Sequence, residues 1–328
     1  MALGARYRVS DIPFILKKPM GDRYLAAFTF FDGDWHCFLG TDEPGVFIRT
    51  RAWPAEASYY GTTAAAPDDL TTEFLDLIGQ RANFKSIQIH CAAFLDDLHN
   101  LSASLHKLDL IHAHGSQGAS RLAATEIEYL LVVCRSVFDH LQETLQKVWR
   151  TVQLHDKSVK KRDLKPSFAK MALHGGEPRT AEQLSKEYGL PLPLAECYPQ
   201  SAPLFLRIRS FRDALVHHGK PMDYLFRCDD GFRIHRQLGP FKDLGIWDAE
   251  ELTSTGLAPL FPVLAQLVHG TLEVCDAFSR TISHTIQLPE PAVPGMQLFV
   301  RGYFGNTLQE AVRDARTRLA AGRSIVPA

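Results

Sequence analysis

Residues 204–218 read Leu204-Phe205-Leu206-Arg207-Ile208-Arg209-Ser210-Phe211-Arg212-Asp213-Ala214-Leu215-Val216-His217-His218. Pro203 stands before this run, while Gly219 and Pro221 supply a stop after it. The pattern predicts a helix that starts after Pro203 and ends with Arg212-Asp213-Ala214-Leu215-Val216-His217. Directly beyond it, Tyr224 to Cys228 and Phe232 to Arg236 flank Asp229-Asp230-Gly231, which predicts a β-hairpin.

Toward the N-terminus, Ile87, Cys91, Phe94, Leu98, Leu101, Leu105 and Leu108 recur at intervals of three and four, the period of an amphipathic helix over 86–112. Ser120 is a candidate cap for a longer helix to about Thr151, with the stripe Ile127, Leu130, Leu131, Cys134, Phe138, Leu141, Leu145 and Val148. The two are expected to pack as a pair. Shorter helices are expected over 167–173 and 180–188, and Pro67-Asp68-Asp69-Leu70 reads as a helix start. A long helical stretch follows from Leu257 to about Ile286, bent near Pro259 and Pro262. A proline-rich connection and a last helix over 307–319 close the chain. The first sixty residues alternate apolar and polar positions, and Tyr24 to Phe31 and Trp35 to Leu39 flank the turn Asp32-Gly33-Asp34. One more strand is expected over 46–49. The fold class is therefore α+β, mostly α, divided as 1–65 (N-terminal β-rich region), 66–286 (helical domain with a hairpin near 222–237) and 287–328 (C-terminal linker and helix).

Length and composition agree with an ordinary globular chain. Its 328 residues are 45% hydrophobic and 22% charged, which argues against disorder and fibrous repeats. The 36 basic residues nearly cancel the 37 acidic ones, so attraction to a polyanion has to come from local clusters. Lys157 to Lys170 is the most basic segment, and a solvated linker is its commoner explanation. The six cysteines lie far apart and read as reduced, mostly buried thiols. No stretch approaches the roughly 18 apolar residues of a spanning helix, so no membrane association and a cytoplasmic location are expected.

On a helix, Arg212 and His217 are separated by about 140° around the axis, so one copy does not bring them into contact. If two such helices met across a twofold axis, two arginines and two histidines would converge on one cleft. That set suits a phosphodiester: arginine offers a planar, permanently charged fork for phosphate oxygens, and histidine exchanges protons near neutral pH.

The spacing of Arg212 and His217, with polar Asp213 in the second position, resembles the mark of the HEPN superfamily, helical modules with arginine and histidine separated by four to six residues. The helix over 120–151, with Glu126, Glu128, Arg135 and Asp139 beside its apolar stripe, resembles that family's earlier long helix. The resemblance spans about residues 86–286 and implies a HEPN-like helical bundle. It further implies a homodimer that cuts RNA without metal, often a toxin or defence nuclease, with an antitoxin or other regulatory protein as a further partner. In that role His217 moves protons, Arg212 stabilises phosphate charge and Asp213 orients one of them, while His218 also falls within the family spacing. The superfamily includes noncatalytic members, so the alternative is a nucleotide- or RNA-binding or protein-assembly module.

No cofactor and no metal are expected. Among the 14 histidines, the pairs His112 and His114, His217 and His218, and His99 and His106 lack the further ligands of a zinc protease helix or finger. Walker, dinucleotide-binding and nucleophile-elbow motifs are missing, which disfavours kinases, dehydrogenases and lipases. Phe28, Phe30, Phe31, Trp35 and Phe38 alternate around a hairpin, so core packing is a better use for them than base stacking.

Overall fold

The alternation of Phe28 and Phe30 with Ala27 and Thr29 yields the strand it implies. β2 (Ala27–Phe31) turns through Asp32-Gly33-Asp34 into β3 (Trp35–Gly40), with Phe28 opposite Phe38. The computed structural model describes residues 5–17, 23, 27–50, 55–115, 117–217 and 225–326, with only the helical backbone for 216 and 217. The expected residues Tyr24 to Ala26 of the first strand lie outside the described residues. β1 (Arg6–Arg8), β4 (Val46–Thr50), β5 (Ala57–Gly61) and β13 (Gln297–Arg301) complete a six-stranded sheet in the order β1-β4-β3-β2-β5-β13. Its buried face is aromatic: Phe30 lies 5.9 Å from Phe28, 6.1 Å from Phe38 and 5.9 Å from Tyr60, ring centre to ring centre. These rings are packed away, as their alternation implied.

β13 corrects the reading of 287–328 as linker and helix. Gln297-Leu298-Phe299-Val300-Arg301 pairs antiparallel with β5, Leu298 facing Tyr60, so the C-terminal stretch supplies an edge of the N-terminal sheet. A second correction concerns Pro67 to Leu70, which do not begin a helix. The Asp69 carboxylate accepts from Tyr59 Oη at 2.6 Å and from the Ala66 amide at 2.9 Å, and the Leu70 backbone pairs with Val300. With those groups committed, α1 (Glu73–Gln80) begins later, capped by the Thr72 side chain.

The helical layer follows the three-and-four spacing closely. α2 (Gln88–His114) and α3 (Ala119–Thr151) form a helical hairpin that buries Phe94, Leu98, Leu101, Leu105 and Leu108 against the expected stripe of α3. Ser120 is not the cap: Gly118, at φ 96°, occupies that position without a side-chain bond, and Ser120 falls inside the first turn. Only glycine takes such a φ at little cost. Beyond β6 (Gln153–Leu154) come α4 (Phe168–Ala172), β7 (Leu173–His174), β8 (Glu177–Pro178) and α5 (Ala181–Tyr188), which Thr180 and Gln183 cap reciprocally.

α6 (Leu192–His217) starts well before the expected point and passes through Pro199 and Pro203. Each interior proline costs about 3 kcal/mol. The stripe Ala195, Tyr198, Ala202, Phe205, Ile208, Phe211 and Leu215 is buried on both sides of them, and each large apolar side chain gains roughly 1.5–3 kcal/mol. Continuous packing outweighs the two prolines.

The hairpin of β9 (Leu225–Cys228) and β10 (Gly231–His235) follows as expected, while residues 222–224 lie outside the described residues. β11 (Leu257–Pro259) pairs with β10 in place of the expected helical start. α7 (Phe261–Thr285) then begins with Pro262 in its first turn, where a missing N–H removes no helical bond. β12 (Ile286–Gln287) pairs with β6, and α8 (Gly305–Ala320) ends the fold.

The architecture is α+β with about 52% helix and eight α-helices among the described residues. Phe138, Phe168, Tyr198, Phe205 and Phe278, from α3, α4, α6 and α7, form its central aromatic cluster. No helix among the described residues is long and apolar enough to cross a membrane.

Candidate functional site

Burial of Phe205, Ile208, Phe211 and Leu215 fixes the rotation of α6 and leaves Arg209, Arg212 and Asp213 toward solvent. Arg212 donates from Nη2 and Nε to Asp213 Oδ1, at 2.7 and 3.2 Å. Arg209 Nε lies 3.6 Å from Asp213 Oδ2. Adjacent helix positions do not normally face each other, so this pair forms because the long arginine side chain folds back across the helix surface. The Arg212 side chain is about one-third exposed, and neither of these hydrogen bonds uses its Nη1. His217 is the last residue of α6; its side chain and all of His218 lie outside the described residues. Along the helix Arg212 and His217 are separated by about 7.5 Å, so a single α6 does not join them around one phosphate.

The acidic and basic residues noted on α3 tie that helix to its neighbours. Glu126 accepts from Ser104 and from Lys107 Nζ at 3.2 Å, Asp139 accepts from the Phe168 amide at 3.2 Å, and Arg135 lies 4.7 Å over the Phe205 ring. Packing therefore accounts for three of the four. The basic segment 157–170 is likewise more than a linker. Lys161 Nζ donates to the Trp149 and Val152 carbonyls at the C-terminal end of α3, both at 2.5 Å, and desolvation lowers its pKa. Lys157, Lys160, Lys165 and Lys170 remain exposed.

Of the histidine pairs weighed for metal, His112 donates from Nε2 to the Cys228 carbonyl at 2.6 Å and packs edge-on against Phe232, which joins α2 to the hairpin. His106 stacks on Phe304 at 4.5 Å. Neither belongs to a ligand cluster among the described residues. A different group does come together: His90 of α2 with His140 and Glu143 of α3, one donor atom from each lying within 4.8 Å of the others. His90 and His140 are fifty positions apart in sequence, so local spacing carried no sign of it.

A second feature hidden in the sequence is a polar groove between α1, α7 and α8. Two adjoining cavities of about 390 and 460 Å³ share Thr71, Thr72, Asp276 and Arg316. Arg316 Nε donates to His269 Nε2 at 3.2 Å, and burial followed by the arginine charge lowers the His269 pKa, so its ring is neutral near pH 7. Asp276 accepts from the Phe74 amide in the first turn of α1 at 3.0 Å. Desolvation, reinforced by Glu73 and Glu273, raises its pKa to about 6.

The folded state therefore holds the Asp276 proton more tightly than the unfolded chain, whose carboxyl has the ordinary value of 3.8. Its unfavourable contribution appears as pH rises from about 4 through 6 and is complete above that window. Asp276→Asn keeps an oxygen for the Phe74 amide and removes the charge. It is expected to raise stability at pH 7.5 by roughly 1–2 kcal/mol and by much less at pH 4, read from urea midpoints at unchanged m-value. A variant that is less stable at pH 7.5 would contradict this.

Compared with known protein families, with curated proteins and with solved structures, the chain matches none.

Proposed function

We propose that the chain is a metal-independent endoribonuclease of the HEPN type, working as a homodimer in which Arg212 and His217 of both copies form one composite site. The observation that carries this reading is the Arg212–Asp213 pair. A partly exposed guanidinium, held by its neighbour's carboxylate, stands five positions before the histidine that closes a long, well-packed helix. The dimer supplies what one helix lacks, because a twofold contact duplicates each group and brings the copies face to face.

In the proposed reaction the ribose 2′-oxygen forms a bond to the adjacent phosphorus and the bond from phosphorus to the 5′-oxygen breaks. One His217 takes the 2′-hydroxyl proton and the second copy's His217 gives a proton to the leaving 5′-oxygen. Arg212 lies against the phosphoryl oxygens, where negative charge builds up, and Asp213 keeps the guanidinium plane in place. The products are a 2′,3′-cyclic phosphate and a 5′-hydroxyl. A toxin or defence role, with a neutralising protein partner, belongs to the same reading, because an enzyme able to cut the cell's own RNA requires restraint.

Chemistry that uses the 2′-oxygen is tested with a strand carrying a single 2′-deoxynucleotide at the cut position. Cleavage at that position is expected to vanish while neighbouring sites are still cut, with cyclic phosphate on the products. Equal cutting of both strands would mean that water is the nucleophile and would overturn this mechanism.

A further inference from the structure

We infer that His90, His140 and Glu143 form a binding site for one divalent transition-metal ion of the zinc class, which bridges α2 and α3. His140 and Glu143, three positions apart on α3, share a helix face, and His90 meets them from α2. Glu143 Oε2 lies 2.9 Å from His90 Nδ1 and 3.8 Å from His140 Nδ1. In a tetrahedral zinc site with bonds of about 2.0–2.1 Å, donor atoms are separated by about 3.3 Å, so the two distances bracket the value required.

A second observation points the same way. His140 Nδ1 is buried without a hydrogen-bond partner, which is rare for a ring nitrogen in a folded interior. The ring's other nitrogen lies 3.1 Å from Ser136 Oγ and 3.5 Å from Asp97 Oδ2, itself buried without a hydrogen bond. A metal on Nδ1 satisfies the first orphan and requires the proton to sit on Nε2, where it faces Asp97. Carboxylates behind ligating histidines serve this purpose in metal sites. Two imidazoles and one carboxylate are a zinc-type donor set, and three protein ligands leave the fourth position to solvent. Glu143 is more than one-third exposed, which gives the ion a way in.

The site is separate from the proposed RNA site. Arg135 over Phe205 and Gln142 bonded to Tyr198 show that α3 and α6 run antiparallel, so His140 stands level with about residue 200 and roughly 18 Å along the axis from Arg212.

The test uses the full chain, stripped with a chelator, dialysed, and titrated with Co(II) and then Zn(II). One cobalt per chain with a saturable visible spectrum is expected, displaced by zinc, with a melting temperature raised by roughly 3–8 °C at zinc 100-fold above its Kd. His90→Ala is expected to abolish both signals and Glu143→Gln to weaken binding at least tenfold. Asp97→Asn should weaken it about tenfold, and Cys91→Ala, beside His90, should leave it intact. Metal-free circular dichroism melts verify that each variant folds, and RNA cleavage in chelator should be the same for His90→Ala and wild type. No saturable cobalt spectrum below about 100 µM, or a spectrum that survives His90→Ala or is lost in Cys91→Ala, would overturn the site and leave a histidine–glutamate ion pair alone.

Discussion

Arg318→Ala is expected to lower the stability of the chain by about 3–5 kcal/mol, the usual cost of removing one member of a buried ionic network. Arg318, near the end of α8, is 8% exposed. Its Nε donates to both Asp314 oxygens at 3.0 and 3.1 Å, Nη1 to the Ile246 carbonyl and Glu251 Oε2, both at 2.9 Å, and Nη2 to Glu251 Oε1 at 2.5 Å. Alanine removes the guanidinium from between two carboxylates and a carbonyl, leaving Glu251 the Asp248 amide at 2.8 Å, and the loop before β11 loses this tie to α8. Lysine restores the charge without the planar fork, so Arg318→Lys should recover less than half of the loss. The hydrogen bond from Arg318 also holds the Glu251 pKa below its ordinary 4.5. Its contribution is therefore present above that value and lost as pH falls through the depressed one. The measurement is the urea midpoint at pH 7; a loss under 1 kcal/mol for Arg318→Ala would contradict the network's role.

The largest expected effect on activity follows from the proposed site. His217→Ala should slow RNA cleavage by about 10²–10⁴, the range for losing a positioned general acid or base, while the dimer persists. Arg212→Ala should cost about 10²–10³, as for other groups that meet charge developing in the transition state. Arg212→Lys should recover little, because a point charge does not reproduce the fork. Asp213→Asn acts only through the orientation of Arg212, and a loss of about tenfold in kcat is expected. His218→Ala separates the two adjacent imidazoles: near wild-type rates assign the proton transfers to His217, and a loss matching that of His217→Ala would reassign them.

Much of the fold was legible because burial in long helices imposes a local period. The stripes of α2 and α3, the short helix over 180–188 and the Asp32-Gly33-Asp34 turn all depend on residues within a few positions of one another. What escaped depends on distant partners. β13 is a strand because β5 offers it an edge more than two hundred residues earlier in sequence, and Asp69 is drawn out of a helix start by Tyr59. α6 runs through Pro199 and Pro203 because α3 and α7 bury the stripe on both sides, a gain that proline spacing does not reveal. The candidate sites divide in the same way. Arg212 and Asp213 are neighbours and could be read from the sequence, whereas Asp276 with Arg316, and His90 with His140 and Glu143, meet only once separate helices pack. None of those polar residues stands in a motif whose spacing marks its chemistry.

Metal-independent cleavage is tested by incubating the purified wild-type protein with mixed RNAs in EDTA and sequencing the products together with those from Arg212→Ala and His217→Ala variants that fold and keep the wild-type oligomeric state. The expected result is metal-independent cutting that leaves 2′,3′-cyclic phosphates and is lost in both variants. Intact RNA with the wild-type protein across varied substrates, or cutting that persists in both variants, would contradict the proposed function, the first result favouring a noncatalytic binding or assembly module.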